Sequence, residues 1–250
     1  MLRLLLTNDD GIDAPGLQAL YESVHFAATL AGKELEVAVV APDRGRSECS
    51  HSVETGETLQ LKSVRPGWTS LNGTPVDCVR AGVLSMGFQA DMVLSGVNSG
   101  ANLGVNLMVS GTFAAARESS LLGIPAMAVS QYRRPAMPRS WEHVPHWLAE
   151  TISDFWNAAE PQTASPHALL WNVNLPAIHD DKGRVPDRAD CKVDRRPLER
   201  VPQRRDDGDD GIVTYECDYH GRPREADRDV AECFAGRITI SRLTPFLEVG

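Results

Sequence analysis

Thr7-Asn8-Asp9-Asp10-Gly11 sets an amide and two adjacent carboxylates directly after an apolar run, Leu2–Leu6. Neighbouring carboxylates repel, and a divalent cation is the usual means of keeping both ionised. Two later stretches have the same form. Leu35–Ala41 (LEVAVVA) is followed by Pro42-Asp43-Arg44 and a hydroxyl-rich loop, Gly45-Arg46-Ser47-Glu48-Cys49-Ser50-His51-Ser52. Met92–Leu94 is followed by Ser95-Gly96-Val97-Asn98-Ser99-Gly100-Ala101-Asn102-Leu103-Gly104, whose glycines let backbone come close to a ligand. If the three apolar runs are neighbouring parallel strands, Asp9, Asp10, Ser47 and Asn98 meet on one edge. That is an all-oxygen donor set, suited to Mg²⁺, Mn²⁺ or Ca²⁺ rather than zinc. A metal held there could polarise a phosphoryl group or lower the pKa of a bound water. The plainer reading of Asn-Asp-Gly is a solvated turn, and position alone leaves the two readings even.

A fourth segment, Ser110-Gly111-Thr112, precedes an alanine-rich helix, Phe113–Leu122, ended by Gly123. Such a helix start offers free N–H groups and the positive end of the dipole to an anion, or is an ordinary N-cap.

These groups need a frame, and the hydrophobic pattern supplies one. After the first apolar run, Pro15 suits a first helical turn, and Leu17, Leu20, Tyr21, Val24 and Ala28 follow at helical spacing. Glu57–Val64 alternates as a short strand, with Leu59 and Leu61 on one face. Thr74-Pro75 opens a second helix that turns Cys78, Val79 and Leu84 inward. Ala126–Ser130 and Ala168–Val173 read as strands, Trp141–Ala158 as a helix with Trp147, Ile152 and Phe155 inside, and Pro161–Pro166 as a linker. The fold expected is α/β: a doubly wound, mostly parallel Rossmann-like sheet flanked by helices, with a C-terminal β-hairpin arm. Residues 1–178 would form the core, 179–236 the arm and 237–250 a closing strand, Arg237–Leu243. The arm is charged and poor in aliphatic residues, so it cannot hold a core of its own and would pack on the body or a second subunit.

The formal net charge of −9 excludes a protein that coats DNA or RNA, whose backbones are bound by Lys and Arg. A small phosphorylated substrate remains open, because a bound metal reverses the local field. Cys49, Cys78, Cys191, Cys217 and Cys233 are odd in number and contain no C-x-x-C pair, which fits a reducing, cytoplasmic setting. No apolar stretch reaches 18 residues, so no membrane span is expected.

Several spaced motifs together resemble the SurE (survival protein E) family of nucleotidases. They are Thr-Asn-Asp-Asp-Gly-Ile with Ala-Pro-Gly (7–16), Val-Ala-Pro-Asp-Arg with Arg-Ser and Ser-His-Ser (40–52), and Gly-Thr-Pro-Val-Asp-Cys-Val (73–79). Ser-Gly-Val-Asn-Ser-Gly-Ala-Asn-Leu-Gly (95–104), Ser-Gly-Thr with Ala-Ala-Ala (110–116) and Asn-Val-Asn-Leu-Pro (172–176) complete them. The likeness is dense over residues 1–130 and thin afterwards, apart from Arg228-Asp229 and the closing strand. It implies a metal-dependent phosphatase of nucleoside 5′- and 3′-monophosphates, in some members also of short polyphosphate. It further implies one divalent ion per subunit on Asp9, Asp10, Ser47 and Asn98, with Asp9, Asp10 and Asn98 serving catalysis. Asn102, Ser110, Gly111 and Thr112 would face the phosphate, and the chain would be a homodimer or homotetramer built through its C-terminal hairpins. Four positions depart from the family pattern: Glu48 stands in place of a glycine, Val109 of a tyrosine, and Val105-Asn106 where acids are common.

Two other functions use the same features. A haloacid-dehalogenase-type phosphatase also begins with a strand ending in acids, but it needs Asp-x-Asp and a lysine against the phospho-aspartate. Here the acids are adjacent, and the only lysines are Lys33, Lys62, Lys182 and Lys192. A nucleotide-binding regulatory module could keep the fold and the metal without turnover.

Overall fold

The leucine-rich run at the N-terminus forms β1 (Leu2–Thr7), an interior strand of a nine-stranded sheet, in a computed structural model that describes residues 1–56, 58–135, 137–159, 168–179, 183–207 and 210–246. Its side chains alternate across the sheet: Leu4 and Leu6 enter one core, Leu5 the other. Both faces are covered, so the buried part of the strand, Leu4-Leu5-Leu6, is apolar at successive positions rather than at every second one.

β1 pairs in parallel with β2 (Leu35–Pro42) on one side and with β5 (Met92–Ser99) on the other. Beyond β2 lie β4 (Trp68–Leu71), parallel to it, and β3 (Leu61–Arg65), antiparallel to β4. Beyond β5 come β6 (Ala126–Gln131) and β7 (Leu170–Leu175), both parallel, then β11 (Ile238–Leu243), antiparallel to β7, and β8 (Arg188–Asp190) at the edge. The full order is β3-β4-β2-β1-β5-β6-β7-β11-β8. Chain direction across the sheet reverses between β1 and β5, and such a switch point opens a crevice at the carboxyl ends of the strands.

Helix α1 (Pro15–Ala31) and helix α4 (Val144–Ala159) pack together on one face. Helix α2 (Pro75–Arg80), extended by a π turn over Ala81–Ser85, and helix α3 (Gly111–Leu121) cover the other. Thr74 caps α2 through a reciprocal box with Asp77, as Thr-Pro predicts. Trp147, Ile152 and Phe155 are buried, and so is Cys78.

Several expectations need correction. The strand read over Glu57–Val64 begins only at Leu61; Leu59 and Leu61 are exposed, because the missed β4 carries the buried face with Trp68 and Leu71. Leu84 points to solvent, since the π turn shifts the helical face by the residue it inserts. Helix α3 starts two residues early, at Gly111, with Ser110 as its N-cap. The segment 179–236 is not a uniform arm. β8 joins the main sheet, and α5 (Asp229–Phe234) packs against β11 with Asp229, Val230 and Cys233 buried. What stands apart is a hairpin, β9 (Val201–Asp207) with β10 (Asp210–Glu216), which forms its own two-stranded sheet. The Pro161–Pro166 linker lies outside the described residues. Among the described residues no helix is long and apolar enough to cross a membrane.

Candidate active site

At the end of β1 the chain turns sharply enough to bring its acids back over the sheet edge. Buried Asn8 makes the turn: its Oδ1 accepts from Gly11 N at 3.2 Å, and its Nδ2 donates to Gly11 O at 2.9 Å. Gly11 sits at φ +105, where a Cβ would meet the Arg44 backbone at 3.1 Å. Only glycine fits both demands.

Asp9 is 5% exposed and lies at the N-terminus of α3. The Thr112 hydroxyl donates to Asp9 Oδ1 at 2.5 Å, and Arg46 N donates to Asp9 O at 2.7 Å. A Cβ on residue 111 would lie 3.0 Å from Asp9 Cβ and 2.8 Å from Cys49 Sγ, so a glycine is required for helix and carboxylate to come this close. Burial pushes the Asp9 carboxyl up to about 6; the Thr112 hydrogen bond opposes the rise and the Asp10 charge adds to it. Asp10 is half-buried, and its Oδ2 accepts from Ser99 N at 3.0 Å, tying the end of β1 to the end of β5.

The other expected donors arrive from neighbouring strands. Asn98 donates through Nδ2 to Gly100 O at 2.7 Å, which leaves its carbonyl oxygen available. Ser47 is exposed, on a loop held across the acids at several points. Arg46 N binds Asp9 O, Ser50 N donates to Val109 O at 3.0 Å, and Ser50 Oγ donates to Met108 O at 2.8 Å. The far end of that loop is anchored by His51. Arg117 Nε donates to His51 Nδ1 at 3.1 Å, so the ring proton is on Nε2 and donates to Glu118 Oε2 at 2.9 Å. Arg80 Nε closes the network on Glu118 Oε1 at 2.6 Å, and the His51 bond is the main cause that holds the buried Glu118 carboxyl below its usual range. Within the loop, Glu48 takes φ +56, the left-handed region that favours glycine.

A divalent cation fits this donor set. Two adjacent carboxylates, one of them desolvated and raised in pKa, call for a positive charge. Asp9 Oδ2 lies beside Gly111, and the four expected donors are all oxygen, with Cys49 Sγ also close by. MgII or MnII chemistry suits them better than zinc, which prefers nitrogen and sulfur.

The residues read as facing phosphate divide. Ser110 Oγ accepts from Phe113 N at 3.0 Å and keeps its proton for a ligand, with Gly111 beside it. Thr112 spends its hydroxyl on Asp9. Asn102 is buttressed: its Nδ2 donates to Ser130 Oγ at 2.9 Å and its N to Asn174 Oδ1 at 2.8 Å, while its O accepts from Asn172 and Asn174. Asn172 and Asn174 carry part of the Asn-Val-Asn motif, and only the structure gives that motif a role.

Also unforeseen is a clamp from the C-terminal region. Asp229 is fully buried and accepts from Gly104 N at 2.8 Å and Asp194 N at 2.7 Å. Arg222 donates to Asn106 Oδ1 at 2.8 Å and Leu103 O at 3.3 Å, and Tyr219 OH donates to Ala101 O at 3.3 Å. The glycine-rich loop after β5 is therefore shaped by residues more than a hundred positions later, in a stretch whose charged composition reads from sequence as an arm.

The sequence matches the family described as Survival protein SurE over residues 4–195. It is 36% identical over 249 residues to the 5'-nucleotidase SurE of Neisseria gonorrhoeae, covering 97% of this chain and 92% of that protein. It is 37% identical over 189 residues to the 5'-nucleotidase SurE of Pelobacter propionicus, covering 74% of this chain and 70% of that one. The crystal structure of the SurE protein from Aquifex aeolicus superposes with a TM-score of 0.80 at 27% identity, over 98% of this chain and 94% of that chain.

Proposed function

The chain belongs to the survival protein SurE family, and from that premise we propose that it is a nucleotidase, hydrolysing nucleoside 5′-monophosphates, and 3′-monophosphates as a side activity, in a divalent-metal-dependent reaction. The observation that carries the reading is the carboxylate pair at the β1/β5 switch point, packed against the N-terminus of α3.

Asp9, Asp10, Ser47 and Asn98 would hold one Mg²⁺ or Mn²⁺ per subunit. Such an ion, when bound, supplies charge stabilisation of a phosphoryl group and activation of water. The chain's own residues do the rest. Thr112 fixes the Asp9 carboxylate through a charge-assisted hydrogen bond to Oδ1, which leaves Oδ2 beside Gly111 at the start of α3. Ser99 N fixes Asp10. Ser110 Oγ and the Gly111 backbone offer donors to the phosphate, aided by the positive end of α3. Asn102, held by Ser130 and Asn174, presents its side-chain carbonyl and backs the same loop. Short-chain polyphosphate is a second substrate on the same reading.

The substrates are small nucleotides rather than nucleic acid, as the net charge of −9 favours. The five unpaired cysteines favour a reducing cytoplasm. Assembly into a homodimer or homotetramer is supported by the β9–β10 hairpin, which exposes Val201, Ile212, Val213 and Tyr215 and pairs with no strand of the main sheet among the described residues.

The deciding assay is phosphate release from adenosine 5′-monophosphate with Mg²⁺ or Mn²⁺ present, after chelation, and with Asp10→Asn. Activity should vanish in the last two. Hydrolysis that survives both, or none from the folded wild type with any nucleotide, would refute the proposal.

A further inference from the structure

The carboxyl end of β6 leads into Gln131-Tyr132-Arg133-Arg134, a run that none of the site residues above includes. Arg133 is held there in an unusual state. Its guanidinium carbon lies 4.1 Å from the centre of the Trp141 ring, and Nη1 donates to Ser140 O at 3.2 Å. Nε and Nη2 are buried and have no partner. These two nitrogens form one edge of the guanidinium, the side-on fork that binds two oxygens of a carboxylate or phosphate. Arg133 as a whole is half-buried, and the two desolvated, unpartnered donors of its fork are a cost that an anion would offset. Burial lowers the pKa of Arg133, Arg139 adds repulsion, and Asp10 is the carboxylate whose charge opposes them.

The surroundings select the ligand. Arg133 lines a cavity of about 80 Å³ with Gln131, Arg134, Ser140, His143 and His179, and no carboxylate is among its described lining residues. At roughly 30 Å³ per water, that space takes two or three water-sized groups, which suits one phosphoryl group and not a nucleoside. The cavity also lies at the catalytic edge. Gln131 pairs with Ser99, whose N–H holds Asp10. Trp141 packs on the core face that contains α1 and Val97, whereas α3 packs on the opposite face. A phosphate at Ser110 and Gly111 would therefore approach from the α3 side and leave the Arg133 fork free.

We propose that Arg133 forms a second anion subsite, which takes a further phosphoryl group on the same nucleotide, so that the favoured substrates are nucleotides phosphorylated at two positions. This deepens the nucleotidase reading and rests on it for the position of the reacting phosphate. The fork supplies two charge-assisted hydrogen bonds, enough for a preference of about 10- to 100-fold.

The test compares adenosine 3′,5′-bisphosphate with adenosine 5′-monophosphate on wild type, Arg133→Gln and Arg133→Lys, by kcat/KM and by calorimetric binding in chelator, where no turnover occurs. Melting temperatures check folding, and Arg133→Lys, which keeps charge and stem but not the fork, decides if Arg133→Gln fails to fold. The wild type should favour the bisphosphate, and both variants should lower the bisphosphate-to-monophosphate ratio by about tenfold or more. An unchanged ratio in a folded variant would overturn the subsite. An equal fall with both nucleotides would place Arg133 on the reacting phosphate and overturn it too. If the wild type binds the bisphosphate through Arg133 but hydrolyses neither nucleotide, the subsite stands and the nucleotidase reading fails.

Discussion

Asp9→Asn should remove a pH dependence from folding as well as a charge from the site. The Asp9 carboxyl rises from 3.8 to about 6 in the folded chain, chiefly because it is buried. A raised carboxyl favours the folded state at low pH: its contribution is complete below 3.8 and is lost as pH rises through 6. The difference of about 2 pKa units corresponds to roughly 3 kcal/mol. Asp9 is 5% exposed, so solvent screening takes little from that figure. Asparagine keeps the shape and an acceptor for Thr112 but cannot ionise. It adds an amide N–H₂ whose cost does not depend on pH, so that cost cancels when two pH values are compared. Urea unfolding of both proteins in chelator, at pH 4 and pH 8, reads the effect directly. The stability difference should move in favour of Asp9→Asn by about 2–3 kcal/mol between the two. Added Mn²⁺ at pH 8 should stabilise the wild type and leave the variant unmoved. A difference that stays constant with pH would show that Asp9 is not desolvated and that the charge balance argued for the site is wrong.

Glu48→Gly relieves a side chain from φ +56 and should raise stability by about 1 kcal/mol, measured as a shift of the urea midpoint; an unchanged or lower midpoint would contradict it. Water rather than Asp9 or Asp10 should attack phosphorus, since the acids are adjacent and Thr112 engages Asp9. Rapid acid quench with labelled nucleotide should leave the protein unlabelled, and stoichiometric label on either aspartate would favour a phospho-aspartate mechanism. Replacing residues 201–216 with a short glycine linker should yield smaller species in light scattering, because the exposed apolar side chains of the hairpin are what a second subunit would cover; an unchanged mass would show the hairpin to be a surface extension.

Sequence alone determined the frame. Apolar runs of strand length alternating with helical periodicity specify a parallel sheet, because a strand buried on both faces is apolar at successive positions, as Leu4-Leu5-Leu6 is. Asn-Asp-Gly marked a turn at Gly11, whereas the close approach that requires glycine at 111 is visible only in the packing. Asp9, Asp10, Ser47 and Asn98 could be grouped because three polar endings followed three such strands. Which residues support them is a matter of contacts between distant segments, and periodicity carries no trace of those. Thr112 looked like a phosphate contact until packing placed its hydroxyl on Asp9. The stretch after 179 looked like one extended arm, packed on the body or a second subunit, because its composition is polar. Yet Asp229 and Arg222 are buried there by hydrogen bonds to the loop at 101–106, and Asp194 by bonds to Asp229 and Glu225; pairing lets charged residues enter a core that hydropathy denies them. Arg133 was silent for the same reason: an arginine in a charged run reads as surface, and only the fold shows its fork buried and unmet.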